Sequence, residues 1–268
     1  MMYQRQKTQN LARRSLYRRS GFSLVELSIV LVILGLLTGG ILGGQSLIRA
    51  AELRSVSSDF NRYQTAIYTF RDKYFGLPGD ITNATAFWQS NGGTGSDATC
   101  FNTPSTTPAT CNGNGNGNVE SYNVTIVLGE PRRAWQHLAN AGLIEGTYNG
   151  DGDEMTIPGR NAPRGRISNT AFDLVYVTQG GSYGETHSTQ SNGNQLLFGT
   201  EANVARQVVL KPEEAWNIDT KMDDSRPDQG ALQTDTAYSA ACFTGAYPNA
   251  TYALNVATTA CSLRLTLR

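Results

Sequence analysis

Hydrophobic and polar positions alternate in two different ways along this chain. From Leu27 to Ile48 there is no charged side chain, a run of 22 positions. As a helix that run extends about 33 Å at 1.5 Å per residue, enough to cross the hydrocarbon core of a bilayer. Past Arg49 the helical pattern continues with a new character. Val56, Phe60, Tyr63, Ile67, Phe70 and Tyr74 recur at alternating steps of four and three, with Arg54, Asp59, Arg62, Arg71 and Asp72 between them. This spacing predicts an amphipathic helix with one apolar stripe, suited to lie on a sheet. Gly76-Leu77-Pro78-Gly79-Asp80 then breaks the helix and opens a globular region.

Within that region, residues 91–118 read as a flexible surface loop rich in Gly, Asn and Thr, ending in alternating Asn and Gly from Asn112 to Asn118. The alternation differs from a nucleotide-binding glycine fingerprint, which needs a preceding strand. It offers Asn where a calcium loop wants carboxylates. Glu130–Leu143 predicts a short helix with Pro131 in its first turn and Trp135, Leu138 and Ala139 on one face. Strands are predicted at Phe172–Thr178, Gln195–Phe198 and Arg206–Leu210, a helix from Pro212, and a half-buried strand from Cys261 to the end. The expected class is α+β: a long N-terminal helix packed on an antiparallel sheet, in a globular domain of roughly 190 residues.

Charge orients this arrangement. Residues 1–21 hold six basic side chains and no acidic one, so the positive-inside tendency keeps the N-terminus cytoplasmic and sends the remainder across the membrane. The whole chain balances at 22 basic and 22 acidic residues. Without the tail, 16 basic face 22 acidic, a net charge near −6 that argues against nucleic acid as the main ligand. A secretory signal has a shorter apolar core followed by a small-residue cleavage site; here the run is longer and Gly21 precedes it. A plain signal anchor explains the length and the basic flank, but neither Gly21-Phe22 nor Glu26. A carboxylate at the mouth of such a segment costs roughly 2.5–3.5 kcal/mol on insertion scales, which makes Glu26 a functional candidate.

The segment GFSLVELSIVLVILG, Gly21–Gly35, closely resembles the N-terminal processing motif of type IV prepilins and of the pseudopilins of type II secretion systems. The resemblance implies a pilin-like fold, cleavage between Gly21 and Phe22 by a membrane prepilin peptidase, and methylation of the new Phe22 amine. It divides the chain into a cytoplasmic leader (1–21), a transmembrane or filament-core helix (22–48), an amphipathic continuation (49–75) and an extracytoplasmic globular domain (76–268). The implied partners are the peptidase, identical or related pilin subunits, the inner membrane and its assembly platform. Glu26 would pair with the Phe22 amine of a neighbouring subunit and set axial register. Gly35, Gly39 and Gly43, with Gly40 and Gly44, have the spacing that lets apolar helices approach closely.

The four cysteines suit an oxidising compartment and allow three pairings. Proximity favours Cys100–Cys111 and Cys242–Cys261, and the latter resembles the disulfide-bounded C-terminal region of type IV pilins. Asp219, Asp223, Asp224 and Asp228 form the densest carboxylate cluster. Calcium is the candidate cofactor there, supported by the resemblance to major pseudopilins; the competing reading is a turn in which Lys221 and Arg226 pair with the acids. Asp151-Gly-Asp153-Glu154 reads as a turn. His137 and His187 lack metal-ligand spacing, and no nucleophile motif frames any Ser, His and Asp, so the chain is expected to be structural and not an enzyme. A membrane-anchored enzyme is the remote alternative. Between pilin and pseudopilin the features divide: the C-terminal cysteines favour the first, the acidic loop and the lack of any proline before Pro78 the second.

Overall fold

The computed structural model describes every residue outside 1–20, 92–99, 101–102, 106–107, 121–128, 153–154, 178–192, 201–204, 235–238, 247 and 268. The chain divides after Ile48 into two units. Helix α1, Leu24–Tyr74, supplies residues to both, and its first buried residue is Val56. None of its most apolar window is buried within the chain. The fold class is α+β, with this long apolar helix and a four-stranded antiparallel sheet.

In the second unit the predicted stripe is the core face of α1. Val56, Phe60, Tyr63, Ile67 and Phe70 are buried, and Tyr74 packs against the same cluster from a half-buried position. The sheet runs β1 (Thr170–Val177), β2 (Gly193–Thr200), β6 (Leu263–Thr266), β3 (Leu232–Thr234) in spatial order, every neighbour antiparallel. Its register sets Phe172 opposite Phe198 and Phe198 opposite Leu263; in the next row Leu174, Leu196, Leu265 and Leu232 align. These rows meet α1: Phe60 contacts Phe172 edge-on at 5.2 Å, and Tyr63 lies 5.0 Å from the same ring. Burying each such side chain is worth about 1.5–3 kcal/mol, with roughly 0.5–1.5 more for a well-placed aromatic pair.

Helices α2 (Ala84–Phe87), α3 (Gly129–Asn140) and α4 (Pro212–Met222) complete the unit, with a small hairpin of β4 (Phe243–Thr244) and β5 (Thr251–Tyr252). The helix α3 stops at Asn140, short of the predicted Leu143, because Gly142 takes a left-handed φ of 71°. Its polar side is buried as well: Arg132, Arg133, Gln136 and His137 are all enclosed. Arg132 reaches Asp173 and Thr156, while Arg133 donates to Ser105 and to the carbonyls of Cys100 and Thr103. Internal partners make this burial tolerable. Arg206–Leu210 is not a regular strand; it makes single bridges from Gln207 to Thr200 and from Leu210 to Cys261. The predicted end of the first strand at Thr178, and also Asp153, Glu154 and His187, lie outside the described residues.

The Asn-Gly segment departs from the expected free loop. Backbone N–H groups of Gly115, Asn116 and Gly117 converge on the Asp80 carboxylate at 2.8–3.1 Å, and those of Asn114 and Glu120 reach Glu130 at 3.0 Å. Gly113 has no room for a side chain: a Cβ would meet the Gly79 carbonyl oxygen at 2.3 Å. The alternating sequence thus wraps two internal carboxylates. Burial raises the pKa of Glu130 to about 7 against the pull of its two N–H donors.

Both proximal cysteine pairs are bonded, Cys100 to Cys111 and Cys242 to Cys261, with Cα separations of 6.0 and 5.0 Å. The second ties the β4–β5 region to the residue two places before β6.

Candidate processing and assembly site

Gly21, Phe22 and Ser23 precede the helix in non-helical backbone and are exposed, Phe22 at 84 %. The helix begins at Leu24 because Ser23 caps it. The Ser23 hydroxyl accepts the Val25 N–H at 3.2 Å, and Glu26 reaches back to accept the Ser23 N–H at 2.8 Å. Ser-x-x-Glu is the sequence form of such a reciprocal cap. The signal for it, Ser23-x-x-Glu26, stands in the sequence itself. The Gly21–Phe22 bond therefore lies just outside the first helical turn, in exposed non-helical backbone.

Nothing lies within 4 Å of where a Cβ would stand at Gly21, Gly35, Gly39, Gly40, Gly43 or Gly44. The chain's own packing needs none of these glycines. Each of the five within the helix costs about 1 kcal/mol of helix stability relative to alanine.

At the exit of the apolar segment, Arg49 grips the start of α4. Its Nε and Nη2 donate to the two carboxylate oxygens of Glu214 at 2.6 and 2.7 Å, and Nη1 donates to Glu52 at 3.1 Å. The Glu214 carboxylate also accepts the Lys211 N–H, capping α4. The Arg49 hydrogen bond and charge hold the Glu214 pKa below its usual value against partial burial.

The acidic loop lies at the other end of α4. Carboxylate oxygens of Asp219, Asp223 and Asp224 come within 4.8 Å of one another; Asp219 is buried and the other two are exposed. Asp228 stands outside that group, its Oδ2 accepting the Ala250 N–H at 3.2 Å. Burial, reinforced by the negative charges of Asp224 and Asp223, pushes the Asp219 pKa up to about 7, while the Tyr252 hydroxyl donating at 2.8 Å opposes the shift. Asp223 accepts the N–H groups of Ala231 and Leu232. Three converging carboxylates suit a divalent cation in charge, although Asp219 and Asp223 already serve structural hydrogen bonds. Neither Lys221 nor Arg226 forms an ion pair with these acids among the described residues.

His137 is wholly buried and structural. Its Nδ1 accepts the Gly79 N–H at 2.9 Å, and Nε2 faces Thr110 Oγ1 at 2.9 Å and the Cys111 carbonyl at 3.2 Å. Burial and the nearby Arg133 charge lower its pKa to about 3.

Residues 16–42 match the family described as prokaryotic N-terminal methylation motif. No curated protein and no solved structure matches the chain. The match spans Arg18 and Arg19 before the junction, the capped helix start and the apolar run as far as Leu42. The chain carries the prepilin-type cleavage and methylation motif of type IV pilins and pseudopilins.

Proposed function

We propose that this protein is a structural subunit of a type IV pilus-like filament, processed by prepilin peptidase between Gly21 and Phe22 and assembled from the inner membrane with its globular domain outside. The observation that carries this reading is the glycine-punctuated apolar helix behind the motif. It is unburied in its own chain and has five glycines with no neighbour to accommodate. A bilayer and then a bundle of identical helices supply what it lacks. In the single chain Glu26 caps its own helix; after cleavage it has an added role, as partner to the Phe22 amine of a neighbour. Breaking a buried pair by removing one partner costs about 3–5 kcal/mol. Glu26→Val is therefore expected to insert into the membrane and to lose filament incorporation. Crosslinking between copies, compared for processed wild type and processed variant, isolates that step. Equal crosslinking and equal filament yield contradict the pairing.

A pseudopilin of a type II secretion system, driving protein export, is the second reading, favoured by the convergence of Asp219, Asp223 and Asp224. It brings calcium as a cofactor. Calcium is then expected to raise the melting temperature of residues 49–268, and Asp224→Ala to reduce that rise. No shift at millimolar calcium leaves these residues as a turn.

A further inference from the structure

Where α1 ends, the second unit carries an open groove of about 880 Å³, walled by Tyr74, Phe75 and Phe87, with Arg71 and Lys73 on its lining. Phe75 is 94 % exposed and Phe87 51 %. The Phe75 backbone is left-handed, at φ 57°, with its N–H donated to the Arg71 carbonyl at 2.8 Å. A glycine would take this cap position without strain. The adjacent Gly76 is not free to do so by a shift of one residue, because a Cβ there would meet Ile81 at 2.5 Å. The chain thus holds an aromatic ring in solvent, on strained backbone, at the rim of an aromatic groove. Such strain together with such exposure marks a surface made for contact.

The same unit carries a surface of opposite character. Along α4, Glu213, Trp216 and Thr220 form one exposed line, and Asp224 is exposed just past the helix end. Trp216 is the exposed aromatic in the middle of this acidic line, and Lys221 stands one position off it. On the groove side, Asp72 is not part of the lining, and the Asp80 carboxylate faces three backbone N–H donors. One surface therefore offers a cationic rim around aromatic walls, and the other an aromatic side chain between carboxylates.

We propose that the α4 line of one copy docks in the α1-end groove of the next, with Trp216 between the rings of Phe75 and Phe87 and with Glu213 and Asp224 facing Arg71 and Lys73. This rests on the filament reading above and deepens it. The two surfaces are different patches of one chain, so the contact is heterologous, and repetition of it generates an open helical array and not a closed dimer. A small contact suffices, because copies already tethered side by side meet at high effective concentration.

The test places a photoreactive benzophenone amino acid at position 75 of the full chain in membranes of cells that assemble it, with position 31 in the apolar helix as a separate probe. The expected result is a two-copy adduct from position 75 whose crosslinked peptide maps to residues 212–224. Arg71→Glu with Lys73→Glu is expected to lower its yield about tenfold, the size of a loss near 1.4 kcal/mol. Co-expression of that probe-bearing variant with Glu213→Lys, Asp224→Lys is expected to restore the yield to within about twofold of wild type. A crosslink from position 75 to another peptide, another protein or a nucleic acid overturns the proposal, as does failure of the paired reversal to restore yield. Two-copy adducts from position 31 without any from 75 overturn the docking and leave the filament reading standing. No two-copy adduct from either position overturns both.

Discussion

Replacing His137 with Phe removes a neutral hydrogen-bonding ring from between three segments while keeping most of its volume and its stacking on Phe70 and Trp88. The Gly79 N–H loses its acceptor, and the Nε2 contacts to Thr110 and Cys111 are lost. At about 1–3 kcal/mol for each buried group left unpaired, a cost near 3 kcal/mol is expected at pH 7. The pH dependence sharpens the test. The folded pKa is lowered from 6.5 to about 3, so between those values the unfolded chain binds a proton that the folded one does not. Stability from this group is fully present above pH 6.5 and is lost as pH falls toward 3. At pH 4 the wild type has lost roughly 3 kcal/mol through His137, and His137→Phe has lost none of it. The deficit of the variant is therefore expected to shrink from about 3 kcal/mol at pH 7 to near zero at pH 4. Glu130 and Asp219 titrate in both proteins and cancel in the difference. Urea unfolding of residues 49–268 at the two pH values, wild type against variant, measures it. A deficit that is the same at both refutes a neutral, buried His137.

Loss of the C-terminal staple by Cys242→Ser with Cys261→Ser is expected to cost roughly 3 kcal/mol in the chain-entropy account, read as a lower urea midpoint. Asp80→Ala leaves three backbone donors of the Asn-Gly segment without their carboxylate. Because Gly115, Asn116 and Gly117 are exposed and water can replace part of the loss, the expected cost is about 1–3 kcal/mol, with faster amide exchange confined to residues 113–120. An unchanged exchange pattern contradicts the wrapping described for that segment.

What the sequence disclosed tracks how local the cause is. The stripe from Val56 to Phe70 was legible because its period is set within one helix. The starts of α3 and α4 were legible from Pro131 and Pro212. Strands β3, β4 and β5 span two or three residues, too few for alternation to register. The burial of Arg132, Arg133 and His137 was not legible because their partners, Asp173, the Cys100 carbonyl and the Gly79 N–H, are distant in sequence. The Asn-Gly repeat misled for the same reason: alternating glycines suggest freedom until Asp80 and Glu130 supply the acceptors. At the candidate processing site the junction and Glu26 stood out as residues, and the cap from Ser23 was written in the same four positions. The acidic loop brought three of its four carboxylates together, while Asp228 was drawn off by the Ala250 N–H across a turn that spacing alone does not reveal.

If the chain becomes a filament subunit through prepilin processing, the intact mass of the protein recovered from membranes records that processing. In cells with an active prepilin peptidase the expected chain begins at Phe22, lacks residues 1–21 and carries one added methyl group, with Gly21→Val leaving the leader in place. A wild-type chain that retains its leader in those cells contradicts prepilin processing and the filament role built on it.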